Sequence, residues 1–148
     1  MTIELMKQMM DACFLAKRTR DLLPPLPDGV LPSQIRYLDV IQRLESSGMR
    51  VKVSDLSSAM NLPRPGVTRA VKELEQKGYL RKENSAEDGR VTYLSLSKSG
   101  KVLSQKYNHD TFQALLPHLQ GISDSDAECM IRTIETLYQE MQQQFESR

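Results

Sequence analysis

The feature that most constrains this chain is a break. Two short runs of apolar residues at helical spacing, Leu56, Ala59, Met60 and then Val67, Ala70, Val71, Leu74, are separated by Asn61-Leu62-Pro63. Proline has no N–H to continue a helix and forces the residue before it out of the helical region. The two runs are therefore two helices joined by a tight turn. Ser54 is the expected cap of the first, and the second starts near Arg64-Pro65 and runs to Lys77, with Gly78 ending it. Strand-like segments follow at Tyr79–Glu83 and Arg90–Leu96, around the polar stretch Asn84-Ser85-Ala86-Glu87-Asp88-Gly89. Alternating and β-branched residues on both sides of a turn-rich loop read as a hairpin. Two short helices, a tight turn and a hairpin describe a winged helix-turn-helix.

The flanks are helical. Ile3, Met6, Met9, Met10, Cys13, Phe14 and Ala16 recur at intervals of three and four, predicting a helix over 3–23 that stops at Pro24-Pro25 and turns through Pro27-Asp28-Gly29. A helix over 32–47 follows, with Pro32 in its first turn, Ile35, Leu38, Ile41 and Leu44 on one face, and Gly48 as its left-handed cap. Val51 and Val53 around Lys52 suggest a brief strand. Ser97 caps a helix expected over about 98–117, which Pro117 kinks or closes. The last helix, 123–146, opens on Ser123-Asp124-Ser125-Asp126 and shows Ala127, Met130, Ile131, Ile134, Leu137, Tyr138, Met141 and Phe145, again at intervals of three and four. The expected fold is mainly α with a small β-hairpin wing: a winged helix-turn-helix core plus long N- and C-terminal helices. Those terminal stripes are broader than a winged core of about 50 residues can cover, so a partner chain is the expected sink.

Charge is uneven. Residues 49–101 carry eleven Lys/Arg against six Asp/Glu, residues 1–48 are balanced, and residues 110–148 carry two against seven. A basic middle attracts phosphate backbones and an acidic end does not. On the second short helix, Arg64, Thr68, Arg69 and Lys72 fall on the side away from Val67, Ala70, Val71 and Leu74. Such a polar, basic face suits a major groove, where Arg offers two donors to a guanine edge and Thr meets a phosphate or a thymine methyl. Arg90, beside small residues at the hairpin tip, is long enough to enter a minor groove.

With 148 residues there is room for one packed core, and no apolar run approaches the length that spans a bilayer. The start, MTIELMKQMM, lacks the apolar stretch of a secretory signal. Cys13 and Cys129 stand far apart with no CxxC, so neither a disulfide scaffold nor a zinc ribbon is expected. His109 and His118, nine apart, would face opposite sides of a helix, so no metal site is expected. No Gly-rich phosphate loop, HExxH or GxSxG appears, and no enzyme activity and no cofactor are expected.

Residues 31–101 resemble the core of the MarR family of bacterial transcription regulators. The stretch V-S-D-L-S-S-A-M-N-L-P-R-P-G-V-T-R-A-V-K-E-L-E-Q-K-G-Y-L (Val53–Leu80) is similar to the family's helix-turn-helix. E-D-G-R-V-T-Y-L-S-L-S-K-S-G-K (Glu87–Lys101) is similar to its wing, with the D-x-R signature as Asp88 and Arg90. The resemblance spans the whole chain, 1–148. It implies a DNA-binding lobe at 31–101, a helical dimerisation region at 1–23 and 102–148, and a homodimer on pseudo-palindromic double-stranded DNA in the cytoplasm. It implies a repressor, with Asp88 orienting the wing and Arg64, Pro65, Thr68, Arg69, Lys72 and Arg90 facing DNA. Three positions depart from the pattern: Pro63 stands where a Ser or Asp cap is common, Gly66 where a small hydroxyl residue is common, and Leu31 where a Thr is common. The phosphate contact expected at Gly66 then falls to a backbone N–H or is missing.

The family's habit of binding small anionic or phenolic effectors points to a crevice lined by Met9, Cys13, Arg20, Tyr37 and Ile41. Two other readings remain open from the sequence. One is a winged-helix interaction module without DNA binding. The other is a redox-sensing regulator using Cys13, for which Lys17 four residues on is the nearest cation and Cys129 the only other thiol.

Overall fold

The structure, a computed structural model, describes residues 1–146; Ser147 and Arg148, the end of the expected dimerisation region, lie outside the described residues. By packing, the chain forms two units, Met1–Phe112 and Gln113–Arg148. The sequence boundary for the winged lobe fell at 101.

The first unit opens with α1 (Ile3–Asp21), whose first turn is capped by the Thr2 hydroxyl accepting from Leu5 N–H at 3.1 Å. No residue of α1 is buried. After the proline-rich turn comes α2 (Pro32–Ser46), which supplies the centre of the core through Ile35, Tyr37, Leu38, Val40 and Ile41. Gly48 at φ +88° caps it in the left-handed region, as its position after Ser46-Ser47 predicts.

Next is α3 (Val53–Met60). Its cap is Lys52, not Ser54: the Asp55 carboxylate reaches back to accept the Lys52 N–H at 2.8 Å, so the helix starts two residues earlier and absorbs Val53 and Ser54. The expected strand shrinks to a single bridge, Leu94 N–H to Val51 O at 2.7 Å. Leu56 and Met60 are buried and Val53 packs beside them, but Ala59 is exposed, because it lies about 60° around the helix from Leu56, on the side away from the other two. Asn61 closes α3 at φ +51°, a conformation Asn tolerates better than most residues.

Then α4 (Arg64–Gln76) buries Val67, Val71 and Leu74. Strands β1 (Leu80–Asn84) and β2 (Thr92–Leu96) pair antiparallel with Leu80 opposite Leu96 and Asn84 opposite Thr92. Leu80, Leu94 and Leu96 join α2, α3 and α4 in one core.

The expected helix over 98–117 is not continuous. α5 (Lys98–Ser104) passes into a π-helical turn (Gln105–Asp110), then α6 (Thr111–Leu115) and a 3-10 turn (Leu116–His118). The reason is tertiary. The Tyr107 hydroxyl donates to Pro25 O at 3.1 Å, and the Asn108 amide donates to Ile35 O at 3.1 Å. A wider turn accommodates both, with the Thr111 hydroxyl taking the Lys106 carbonyl five residues back.

The second unit is dominated by α7 (Asp124–Glu146). Ser123 accepts the Asp126 N–H at 3.1 Å, and Asp124 and Asp126 stand at the positive end of the helix dipole. Its apolar stripe, Met130, Ile131, Ile134, Tyr138, Met141 and Phe145, is exposed. No helix among the described residues is long and apolar enough to cross a membrane.

Candidate nucleic-acid interface

Three fully buried side chains, Val67, Val71 and Leu74, fix the rotation of α4 about its axis. Everything on the opposite side is thereby offered to solvent: Arg64, Pro65, Thr68, Arg69 and Lys72 are all exposed. At roughly 100° per residue, Arg64, Thr68 and Lys72 fall within about 80° of arc. They have no hydrogen-bond or ion-pair partner among the described residues. Arg69 lies on the flank of this face and does have a partner, the Glu73 carboxylate at 3.2 Å. So the four side chains read from the sequence as one face are three free ones and one held one.

At the start of α4, Pro63 forms no side-chain cap, as its chemistry requires. Gly66 is exposed and adds no side chain, and the first-turn N–H groups have no intrahelical acceptor. A phosphate oxygen is a suitable acceptor there.

The wing loop is built by short-range bonds. The Ser85 hydroxyl accepts the N–H groups of Glu87 and Asp88 at 3.2 and 3.3 Å. The Asp88 carboxylate accepts the Arg90 N–H at 3.0 Å, and the Val91 N–H closes onto Asp88 O at 2.9 Å. Arg90 is exposed, and its guanidinium has no partner among the described residues. Near the loop end of the hairpin, where Tyr93 stands opposite Glu83, Arg50 stacks on the Tyr93 ring at 3.8 Å from its centroid, a cation the sequence does not single out.

A second set the sequence did not single out ties α2 to α4. Gln34 is buried, at 2% exposure. Its carbonyl accepts the Leu31 N–H at 3.1 Å and the Lys77 ammonium at 2.9 Å, and its amide donates to Glu73 at 3.3 Å. Lys77 also donates to Gly29 O. The pattern Leu31–Gln34 is the only signal available in sequence: a Gln three residues into a helix reaching back to the cap.

A cleft of about 1010 Å³ opens between the end of α1, the following loop, α2, α4 and the segment to Phe112. Among the expected effector residues, Arg20 and Tyr37 line it; Met9, Cys13 and Ile41 do not. Ile41 is fully buried in the core, and Met9 and Cys13 are half-buried on α1. Lys17, Arg36 and Arg69 bring further cations to the walls, against Asp21, Asp39 and Glu73. Burial lifts the Tyr37 phenol above its ordinary pKa, and neighbouring Arg36 opposes that rise. Cys13 and Cys129 are free thiols, the second exposed. His109 contacts Asp110 at 3.1 Å, and the Gln105 hydrogen bond, then that of His109, lowers the Asp110 pKa. Among the described residues no three His, Cys, Asp or Glu side chains converge as metal ligands.

A buried-face helix behind an Asn-Leu-Pro turn, an exposed basic outer face and an Arg-tipped hairpin define a winged helix-turn-helix. Residues 28–91 match the MarR family. The transcriptional regulator AdcR of Streptococcus pyogenes is 26% identical over 99 residues, 65% of this chain and 67% of that protein. An uncharacterised HTH-type transcriptional regulator of Bacillus subtilis, YdgJ, is 23% identical over 103 residues, 70% of this chain and 60% of that protein. In fold, the chain is similar to the crystal structure of AdcR (TM-score 0.62, 22% identity, 95% of this chain and 98% of that one). It is also similar to Streptococcus pneumoniae FabT in complex with DNA (TM-score 0.64, 21% identity, 95% and 94%). Over residues 28–91 the chain is thus similar to the MarR family, and its fold is similar to that of winged-helix transcriptional regulators.

Proposed function

We propose that this chain binds pseudo-palindromic double-stranded DNA as a homodimer in the bacterial cytoplasm, acts as a repressor, and is released by a small-molecule effector. The observation that carries the reading is the outer face of α4, where Arg64, Thr68 and Lys72 stand exposed and unpartnered above a core that fixes their direction. An unpaired basic face has no intramolecular ion pair to break before it meets DNA, and it gains by releasing counterions from phosphates. Arg64, Thr68 and Lys72 approach the major groove with Pro65 and Arg69 beside them, and Arg90 enters the flanking minor groove, its loop shaped by Asp88.

The dimer is supported by apolar surface. Phe14 and Leu15 on α1, and Met130, Ile131, Tyr138 and Phe145 on α7, are each more than half exposed. Helices with such stripes bury them against something, and a second copy brings the same stripes. In this reading 1–23 and 102–148 form the dimerisation region and 31–101 the DNA-binding lobe. The cleft at Arg20 and Tyr37 has the size of a ligand site and mixed apolar and cationic walls, suited to a small anionic or phenolic effector.

The test is selection of genomic DNA fragments by the purified protein, followed by footprinting. Recovery of a short inverted repeat protected on one face of the duplex supports the reading. Recovery of fragments with no common element contradicts it, and points to an interaction module instead.

A further inference from the structure

One side chain of the recognition helix is held rather than free. Arg69 Nε donates to Glu73 Oε1 at 3.2 Å. An exposed pair four residues apart on a helix restrains a long side chain only weakly, and by itself this one would carry no argument. Glu73, however, is anchored at its other oxygen by the Gln34 amide at 3.3 Å. Gln34 has a single workable orientation. Its carbonyl faces two donors, the Leu31 N–H and the Lys77 ammonium. Turning the amide over would set its own donors against them and leave the Glu73 oxygen unpaired. A buried glutamine with both ends committed therefore fixes the direction of the Glu73 carboxylate. That carboxylate takes Arg69 by Nε alone. The two terminal nitrogens, the pair that can bond a guanine edge together, have no partner among the described residues.

We propose that Glu73, anchored by Gln34, is a positioning residue that presents the terminal fork of Arg69 for base recognition. The proposal rests on the reading of α4 as the DNA-reading helix. It carries an electrostatic signature. Glu73 is a negative charge at the edge of a phosphate-facing surface, so it opposes sequence-independent binding while it sharpens selective binding. A residue that served only to hold α2 against α4 would move both in the same direction.

The experiment compares wild type, Glu73→Gln, Arg69→Ala and the double variant on two probes, a genome-selected duplex and a random duplex of equal length. Thermal unfolding is recorded for each, and Glu73→Ala is carried in parallel in case the amide restores the bond. Expected is a loss of about three- to tenfold in the ratio of selected to random affinity for Glu73→Gln, with affinity for the random duplex equal or higher. Arg69→Ala is expected to lose the ratio as well, and the double variant to lose no more than Arg69→Ala. An unchanged ratio in both Glu73 variants overturns the proposal. So does a parallel fall on both probes that tracks a lowered melting temperature. If wild type itself does not discriminate between the probes, the DNA reading of α4 fails first, and this proposal with it.

Discussion

The Asp88 carboxylate accepts the backbone N–H of Arg90 at 3.0 Å, two residues on. An Asp side chain bonding the backbone two residues ahead makes a turn without help from the rest of the fold. It sets where the chain of Arg90 leaves the loop while leaving the guanidinium unbound. Arg90→Ala is expected to weaken binding to a selected duplex by about 1–3 kcal/mol. Asp88→Ala should weaken it less, by losing the turn but keeping the cation. Neither should shift thermal unfolding measurably, since both residues are exposed. Titration of each variant by fluorescence anisotropy checks this; equal affinity of Arg90→Ala and wild type removes the wing from the mechanism.

Lys72 stands unpartnered on the outer face of α4. A lysine that meets phosphate contributes to the salt dependence of binding. Lys72→Ala should weaken binding on every sequence alike and reduce the slope of log K against log salt by about 1. A slope identical to wild type would place Lys72 away from the backbone.

Gly100 sits in the first turn of α5, where a Cβ would lie 2.0 Å from the Tyr79 carbonyl oxygen. That carbonyl also accepts the Ser97 N–H at 3.0 Å, and Ser97 in turn bonds Gly78 O and the Gly100 N–H. The junction between α4, the wing and α5 has no slack. Gly100→Ala should cost about 3 kcal/mol, the upper end for overpacking, and lower the melting temperature by roughly 6–12 °C. Calorimetry decides; a melt within about one degree of wild type would mean that the junction yields.

The Tyr37 phenol is raised above the ordinary tyrosine value, chiefly by burial. Between those two values the native state keeps a proton that the unfolded chain has lost. Stability is therefore full below the ordinary value and falls as pH rises through the folded one. The hydroxyl has no hydrogen-bond partner among the described residues. Tyr37→Phe should change stability at neutral pH by less than about 1 kcal/mol and flatten the alkaline loss. Parallel alkaline slopes for the two proteins in denaturant unfolding would refute this.

Ile131 is 55% exposed in the apolar stripe of α7. If a second copy covers it, Ile131→Glu buries a charge at the interface. The variant should shift from dimer to monomer in light scattering and lose selective binding by at least about tenfold. A wild type that is itself monomeric would remove the dimer from the account.

The elements tied to local chemistry were legible in the sequence. Asn61-Leu62-Pro63 marks its turn because Pro63 cannot continue the helix before it, and Asp88-Gly89-Arg90 marks the wing. The spacing of Val67, Val71 and Leu74 locates the outer face of α4. What the sequence hid depends on partners distant in the chain. Tyr107 and Asn108 read as ordinary helical residues until Pro25 O and Ile35 O are seen to take their donors. Arg69 reads as a free reader until Glu73 and Gln34 are seen to hold it, because Gln34 is 39 residues from Glu73. The cap of α3 lies two residues before the expected Ser54, the commoner capping type, because Asp55 reaches Lys52 from inside the helix. Ile41 was read as a ligand contact from its place on α2, although the same apolar stripe turns it wholly into the core.

The most direct test of the central claim is anisotropy of the full chain against one genome-selected duplex and one random duplex, each at two salt concentrations, with stoichiometry measured at saturation. The account predicts selective, salt-sensitive binding, tighter on the selected duplex at both concentrations, with two chains per duplex. Equal affinity for both duplexes, or one chain per duplex, would contradict it.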